Sequence, residues 1–167
     1  MKLNYSYLLI GVLVLASAFT VKSIITPSNL SNNEKKIQKW HSVEEAVSLA
    51  KTDQKKILID VYTDWCRWCK VMDQKTFSEA EVSKYLSENY HLAKFNAEQK
   101  EELSFNGKKY TFKLNGKRGY HEFAADILNG QLAYPSLVIF DSNLNKIEVV
   151  RGFKSPEELM KILKENT

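Results

Sequence analysis

Two cysteines separated by two residues, Cys66 and Cys69, are the feature that most constrains this chain, and it has no others. The apolar run at 56–62 is typical of a strand buried on both faces, and a helix is predicted to begin near Cys66. Two thiols at this spacing, where a strand meets a helix, favour reversible thiol–disulfide exchange. A structural cross-link is the alternative, although so short a loop would stabilise the fold by only roughly 2 kcal/mol.

The first 21 residues have the pattern of an export signal. One lysine, Lys2, precedes an uninterrupted apolar run at 7–15, and residues 16–18, Ala-Ser-Ala, match a signal-peptidase site. The run is shorter than the ~20 residues that a spanning helix needs, unless it extends further along the chain. A cleaved signal and an uncleaved membrane anchor both stay open. Either would place the rest of the chain in the periplasm or cell envelope.

Charge and composition argue against several classes of function. The formal net charge of +4 is too small to favour nucleic acid as a partner, and there is no RNA-binding signature. A closed zinc site usually needs four ligands, whereas one CxxC motif provides two, so only a site shared between two chains stays open. Covalent haem attachment requires histidine where this chain has Lys70. We therefore expect no metal and no cofactor besides the redox-active Cys66–Cys69 pair.

Capping signals and hydrophobic periodicity divide the rest of the chain. Residues 22–39 are typical of a polar linker, and one domain is predicted over 40–167. Ser-x-x-Glu capping boxes open three of the predicted helices. The helices are predicted at 42–53, 66–74, 78–88 and from Ser155 onwards, and the strands at 56–63, 90–96, 136–141 and 146–151. The order β-α-β-α-β-β-α, after an extra N-terminal helix, implies parallel strands and a final antiparallel hairpin.

An enlarged segment at 97–133 interrupts this alternation. Asn106-Gly107 predicts a type I′ hairpin, and Asn115-Gly116 predicts a further turn. An apolar stripe then predicts a helix that stops at Gly130. The stripe consists of Tyr120, Phe123, Ala124, Ile127 and Leu128. His121 lies off this stripe and is expected to face solvent or the rest of the insertion.

The residues around the cysteines resemble the signature of the thioredoxin-like family. Trp65, Cys66, Cys69 and Lys70 match its Trp-Cys-x-x-Cys-Lys pattern. Asp60, six residues before Cys66, stands where thioredoxins carry a buried aspartate. The motif alone is moderately specific, and the aspartate at this spacing strengthens it.

Two later positions extend the resemblance over roughly residues 40–165. Pro135 precedes a strand, where the family has a cis-proline facing the cysteines, and Gly152 follows the last strand, as a glycine does in thioredoxins. The resemblance implies an α/β thioredoxin-like fold, with a central mixed sheet and flanking helices. The chain adds an N-terminal helix, and it inserts 97–133 before the cis-proline strand.

The motif residues predict a mechanism. A helix N-terminus and the neighbouring Arg67 should lower the pKa of the Cys66 thiol, so that its thiolate attacks a substrate disulfide. Cys69 would then resolve the mixed disulfide. Desolvation should raise the pKa of Asp60, which would accept the proton of Cys69. The alternative for Asp60 is an aspartate on the solvent face of its strand.

Four residues besides Arg67 are candidates for contact with the substrate. Tyr134, held by a cis bond to Pro135, would pair its backbone with an extended substrate segment; an ordinary strand-start proline is the alternative. Trp68 lies between the cysteines and is expected to be exposed. Trp65 precedes them and is expected mainly to pack.

These features predict an exported thiol–disulfide oxidoreductase that acts on protein disulfides or thiols. Arg67-Trp68 replaces the Gly-Pro of thioredoxin, and 97–133 is longer than in a minimal thioredoxin. The chain therefore looks more like exported thioredoxin-like proteins of bacterial envelopes, such as the soluble domain of envelope thiol reductases. We expect a reductase fed by a membrane thiol donor. A disulfide oxidase or isomerase, and a thioredoxin-fold binding module that uses 97–133, are the alternatives.

Overall fold

In the computed structural model, which describes residues 38–116 and 118–166, the strand before the cysteines lies inside a mixed five-stranded sheet. The predicted export segment, 1–21, lies outside the described residues, as does all of the predicted linker before residue 38. Within the described ranges, no helix is both long enough and apolar enough to cross a membrane.

The structure contains nine strands, five α-helices and one π-helical segment in its described part. The strands are β1 (Trp40–His41), β2 (Lys56–Tyr62), β3 (Tyr90–Asn96), β4 (Leu103–Phe105), β5 (Lys108–Tyr110), β6 (Phe112–Asn115), β7 (Arg118–His121), β8 (Ser136–Phe140) and β9 (Lys146–Arg151). The helices are α1 (Val43–Asp53), α2 (Arg67–Met72), α3 (Ala80–Asn89), α4 (Glu122–Ile127) and α5 (Pro156–Glu165), and the π-helical segment Asp73–Phe77 continues α2.

The central sheet has the strand order β1-β3-β2-β8-β9. β2 and β3 are parallel, whereas β8 is antiparallel to both β2 and β9. The predicted parallel pair and the final antiparallel hairpin are therefore confirmed. β1, which pairs Trp40 with Leu92 and His41 with Ala93, is an addition to the predicted order. Two residues are too few to show a strand periodicity, so the sequence pattern does not reveal it.

β2 is buried on both faces, as its apolar run predicts. Ile57, Ile59 and Val61 pack into a core that contains α1, α4 and the β4–β5 hairpin. Leu58 packs into the opposite core, formed with α2, α3 and α5. Because alternate strand residues face opposite sides, Asp60 lies on the same side as Leu58. The strand thus directs one carboxylate toward the face that α2 covers.

The insertion is packed into the core. The β4–β5 hairpin turns at Asn106 and Gly107, whose φ angles of 49° and 76° agree with the predicted type I′ turn. The ring of Phe105 lies 5.0 Å from that of Phe123 on α4 and 5.2 Å from that of Phe140 on β8, between centroids. The insertion therefore shares its core with the central sheet.

Two predictions at helix ends are wrong. The helical backbone after Cys66 continues beyond residue 74, because the π-helical segment extends it to Phe77. Ser78 was expected to cap α3, but Glu79 is the capping residue, and its carboxylate accepts the backbone N–H groups of Glu81 and Val82. The Ser78 hydroxyl instead donates to the Gln74 carbonyl. In the sequence Ser-Glu-Ala-Glu at 78–81, both Ser78 and Glu79 can cap a helix, and the sequence does not decide between them.

Of the two positions expected for His121, solvent is excluded and contact with the insertion is confirmed. His121 is fully buried and is the N-terminal cap of α4, while Tyr120 belongs to β7. Its Nδ1 accepts the Phe123 N–H at 3.2 Å, and its Nε2 lies 3.0 Å from the Glu101 carbonyl oxygen, to which it donates. Both ring nitrogens have partners, so burial of the neutral ring is tolerated. Burial lowers the pKa of His121, which favours that neutral form.

We expect Phe123→Ala to lower the free energy of unfolding by about 3–5 kcal/mol, because the ring is fully buried among those of Phe95, Phe105 and Tyr110. Urea unfolding of the oxidised protein measures this. Leu114→Ala is the control, since Leu114 is 79% exposed and its loss should change stability by less than about 0.5 kcal/mol. Equal losses in the two variants would show that the insertion does not share the core.

Candidate active site

Cys66 and Cys69 form a disulfide at the start of α2. Cys66 is the N-terminal capping residue of this helix, and its Sγ accepts the Cys69 N–H at 3.1 Å. Each cysteine is 4% exposed. Unpaired backbone N–H groups at a helix start favour an anion, so the geometry suits a Cys66 thiolate when the pair is reduced.

Asp60 lies on β2 and is 1% exposed, so the alternative of a solvent-facing aspartate is excluded. Its Oδ2 accepts a hydrogen bond from Lys94 Nζ at 3.1 Å, whereas its Oδ1 has no partner within the described residues. Burial raises the pKa of Asp60 to about 6, against the opposing attraction of Lys94. The predicted direction is confirmed. A carboxyl group with this pKa can gain or lose a proton near neutral pH.

Lys94 is a site residue that the sequence interpretation missed. It lies on β3 directly beside Asp60, and its ammonium also donates to Asp73, at the start of the π-helical segment. Burial by itself would lower the pKa of Lys94, but the two carboxylates raise it, so the side chain stays charged. The available signal was one lysine within an apolar strand that is predicted to pair with the strand carrying Asp60.

The expectation that Trp65 mainly packs is wrong. Its side chain is 62% exposed. Its Nε1 donates to both carboxylate oxygens of Glu98, each at 3.1 Å, and its ring meets that of Tyr134 edge-on at 6.0 Å between centroids. A polar contact at the ring edge holds the indole in place and leaves much of its surface open to solvent.

Trp68 and Pro135 line one shallow groove with an approximate volume of 320 Å³. Trp68 is 58% exposed, as predicted, and Arg67 next to it is also exposed. The Tyr134–Pro135 peptide bond is cis, as predicted. The groove is completed by Tyr134, Gly152 and Phe153. Three of the predicted substrate residues, Trp68, Tyr134 and Pro135, therefore line one groove, and Trp65 contacts it through Tyr134.

Histidines and carboxylates do not gather into a metal site in the described part of the chain. No group of three or more His, Cys, Asp or Glu side chains there is placed to hold a metal ion. His41 pairs with Glu45, and His91 pairs with Asp53, each at 2.8 Å.

A CxxC disulfide at the start of a helix, a buried aspartate on the sheet face that this helix covers and a cis-proline in one groove with Trp68 define a thioredoxin-fold protein. The sequence matches the model of the family described as Thioredox_DsbH, "Protein of unknown function, DUF255", over residues 24–121, which is more than half of the chain. The chain belongs to this family.

Solved structures support the fold. A structure described as DsbH oxidoreductase aligns with a TM-score of 0.55 and 19% identity, covering 76% of this chain and 82% of that one. A thioredoxin from Thermus thermophilus aligns with a TM-score of 0.58 and 16% identity, and the alignment covers 78% of this chain and 87% of that one. The oxidised C-terminal domain of DsbD from Neisseria meningitidis aligns with a TM-score of 0.53 and 18% identity, and the alignment covers 77% of this chain and 100% of that one. At these identities the likeness establishes the fold alone.

Two curated relatives carry the name thiol:disulfide interchange protein DsbD. The protein of Colwellia psychrerythraea is 32% identical over 92 residues, and that of Photorhabdus laumondii is 28% identical over 85 residues. Each match covers 51% of this chain but only 15% and 14% of the respective relative. The similarity is thus to a small part of those proteins.

The raised pKa of Asp60 predicts how stability depends on pH. The folded protein holds this proton more tightly than the unfolded chain, because the pKa is about 6 rather than 3.8. The stabilisation is fully present below about pH 4 and is lost as the pH rises through 6. Relative to Asp60→Asn, the free energy of unfolding of the oxidised wild type should fall by about 2.5 kcal/mol between pH 4 and pH 7.5. Urea unfolding at both pH values measures this difference.

Lys94→Met provides the control for this prediction. Removal of the ammonium takes away the attraction that holds the pKa of Asp60 down, so the loss of stability should extend to higher pH. A difference between the wild type and Asp60→Asn that does not change with pH would contradict the assignment.

Proposed function

We propose that this chain is a thiol–disulfide oxidoreductase whose Cys66–Cys69 pair reduces disulfides of protein substrates. The observation that carries the proposal is the disulfide at the start of α2, with the buried carboxylate of Asp60 on the sheet face that α2 covers. The similarity to parts of proteins named thiol:disulfide interchange protein supports it.

The proposed reaction has two displacements. The Cys66 thiolate attacks a substrate disulfide, a bond forms between Cys66 and one substrate sulfur, and the other leaves as a thiolate that takes a proton from water. Cys69 then gives its proton to Asp60 and attacks Cys66 Sγ, which releases the second substrate thiolate and forms the Cys66–Cys69 bond. Two electrons pass to the substrate, and Asp60 returns its proton to water.

The assignment of roles follows from position. Cys66 caps α2, where backbone N–H groups stabilise its thiolate, and the exposed cation of Arg67 lies next to it. Cys69 lies one turn further into the helix, so its attack on Cys66 is intramolecular and needs no second encounter. Asp60 is the proton acceptor, because burial brings its pKa close to neutrality.

Substrate binding is assigned to the groove beside the disulfide. The exposed ring of Trp68 and the Phe153 ring, 5.4 Å apart between centroids, offer apolar contact area. The Pro135 carbonyl accepts the Gly152 N–H at 2.8 Å, which ties the cis-proline segment to the end of β9. We assign the backbone of Tyr134 to pairing with an extended substrate segment.

A redox titration tests this proposal. The purified protein is equilibrated with defined thiol/disulfide ratios and its free thiols are alkylated. Mass spectrometry then counts the alkylated thiols at each potential. We expect one reversible two-electron transition near the thioredoxin value of about −270 mV. A transition near about −120 mV would reverse the proposed direction and assign an oxidase or isomerase. If no reversible transition exists, the catalytic proposal is wrong, and a binding role takes its place.

Export of the domain, with electrons supplied by a membrane thiol donor, is the second part of the proposal. It is based on the apolar run at 7–15 and on the small residues that follow it. A reporter that is active only after export, fused behind the first 39 residues, should be active. Leu13→Arg interrupts the apolar run and should abolish that activity, whereas Asn4→Arg, outside the run, should preserve it. Equal activity of the two variants would contradict export through this segment.

A further inference from the structure

A second cleft, with a volume of about 750 Å³, lies beside Trp65. We call it the hairpin cleft, because β6 and β7 of the insertion contribute half of its lining. Its lining includes Trp65, Glu98, Lys100, Phe112, Leu114 and Arg118. It shares no lining residue with the Pro135 groove, but the contact of Trp65 with Tyr134 joins the two. A polypeptide that lies in the groove can therefore continue into the cleft.

The aromatic surfaces of the cleft are held in fixed positions. Glu98 accepts both hydrogen bonds from Trp65 Nε1, so what the indole offers a partner is mainly apolar surface. The Lys100 ammonium lies 2.9 Å from the centroid of the Phe112 ring. The backbone of Gly119 approaches the same ring so closely that a Cβ there would lie 2.1 Å from Phe112 Cζ. Rings that are ordered before binding lose less conformational entropy on binding.

Two of the five exposed large hydrophobic side chains in the described part of the chain line this cleft. Trp65 is 62% exposed and Leu114 is 79% exposed. Single exposed apolar residues are normal on protein surfaces, whereas a group of them beside a reactive centre is typical of a binding surface. The apolar surface of the cleft suits a large apolar side chain.

The charged residues of the cleft indicate which charge a bound substrate segment should carry. Its two carboxylates already accept hydrogen bonds within the protein, Glu98 from Trp65 and Asp64 from Asn96 Nδ2 at 3.1 Å. Neither Lys100 nor Arg118 forms an ion pair with any described residue, and both are exposed. The donors to both carboxylates are uncharged, so Asp64 and Glu98 keep their charges and balance those of Lys100 and Arg118. Their bonded oxygens face donors of the protein, however, and the Lys100 ammonium lies over the Phe112 ring. The exposed guanidinium of Arg118 is therefore the charged group of the cleft that is best placed to bind an acidic group.

We propose that the hairpin cleft binds the segment flanking the disulfide of a protein substrate, and that it selects a large apolar residue next to an acidic one. The inference rests on the proposed function, because the same substrate must place its disulfide at Cys66. It assigns substrate selection to the insertion and leaves the chemistry to the residues of the thioredoxin fold.

The test compares three disulfides as substrates. Two are peptides of equal length with one internal disulfide, flanked by Leu-Glu in one and by Ser-Lys in the other, and the third is 2-hydroxyethyl disulfide, which is small and uncharged. We expect kcat/KM to favour the Leu-Glu peptide over the Ser-Lys peptide by at least about tenfold, which is about 1.4 kcal/mol. Leu114→Ser and Arg118→Glu should each reduce this preference about tenfold when both rates are normalised to the small disulfide.

Ile147→Ser is the matched control, since Ile147 is a 41% exposed aliphatic residue on β9 outside the cleft. It should keep the wild-type preference. The inference is overturned if the wild type shows no preference, or if Leu114→Ser and Arg118→Glu retain the preference seen with Ile147→Ser.

A binding measurement separates this inference from the proposed function. The Leu-Glu peptide is made with serine in place of both cysteines and is added to the oxidised protein, while the indole N–H resonance of Trp65 is followed by NMR. A saturable shift that Arg118→Glu weakens about tenfold supports the cleft even if all three disulfides are left unreduced. The absence of a shift overturns the cleft even if the disulfides are reduced.

Discussion

A carboxylate enclosed by a sheet and a helix is the constraint on which this site depends. Asp60 is almost completely buried, and its cationic partner Lys94 also binds Asp73. A buried carboxylate whose charge is only partly balanced by a cation is costly in free energy. Its pKa is therefore raised, and Asp60 can take up a proton near neutral pH. Three parts of the chain must dock to produce this state: β2 carries Asp60, β3 carries Lys94, and the helix of the cysteines leads into Asp73.

Much of this arrangement could be predicted from sequence, because local signals coincide with it. The apolar run of β2 requires burial on both faces, and strand periodicity then fixes the side on which Asp60 lies. The CxxC spacing and the strand–helix junction locate the disulfide. Capping by Ser155 with Pro156 at the first helical position is likewise a local signal, and both are present at α5.

The residues that escaped prediction depend on partners distant in sequence. Lys94 becomes a site residue because the register of β2 and β3 places it opposite Asp60. Strand propensities predict that the two strands exist but not which residues pair between them. Trp65 is exposed because Glu98, 33 positions later, holds the edge of its ring. His121 is buried because a carbonyl on another segment accepts its Nε2 proton, which no periodicity within its own helix can indicate.

The short strand β1 has a consequence for how the domain tolerates mechanical load. Trp40 lies over the Lys94 ammonium at 4.9 Å and against the Phe77 ring at 5.0 Å, yet β1 is joined to the sheet through only two residue pairs. Within the described residues, β1 is the first strand that a force applied at the N-terminal side would load. Its detachment would expose more of the cation that Asp60 and Asp73 share. Separation of β1 from the sheet would thereby change the proton affinity of the Asp60 carboxylate, to which Lys94 donates.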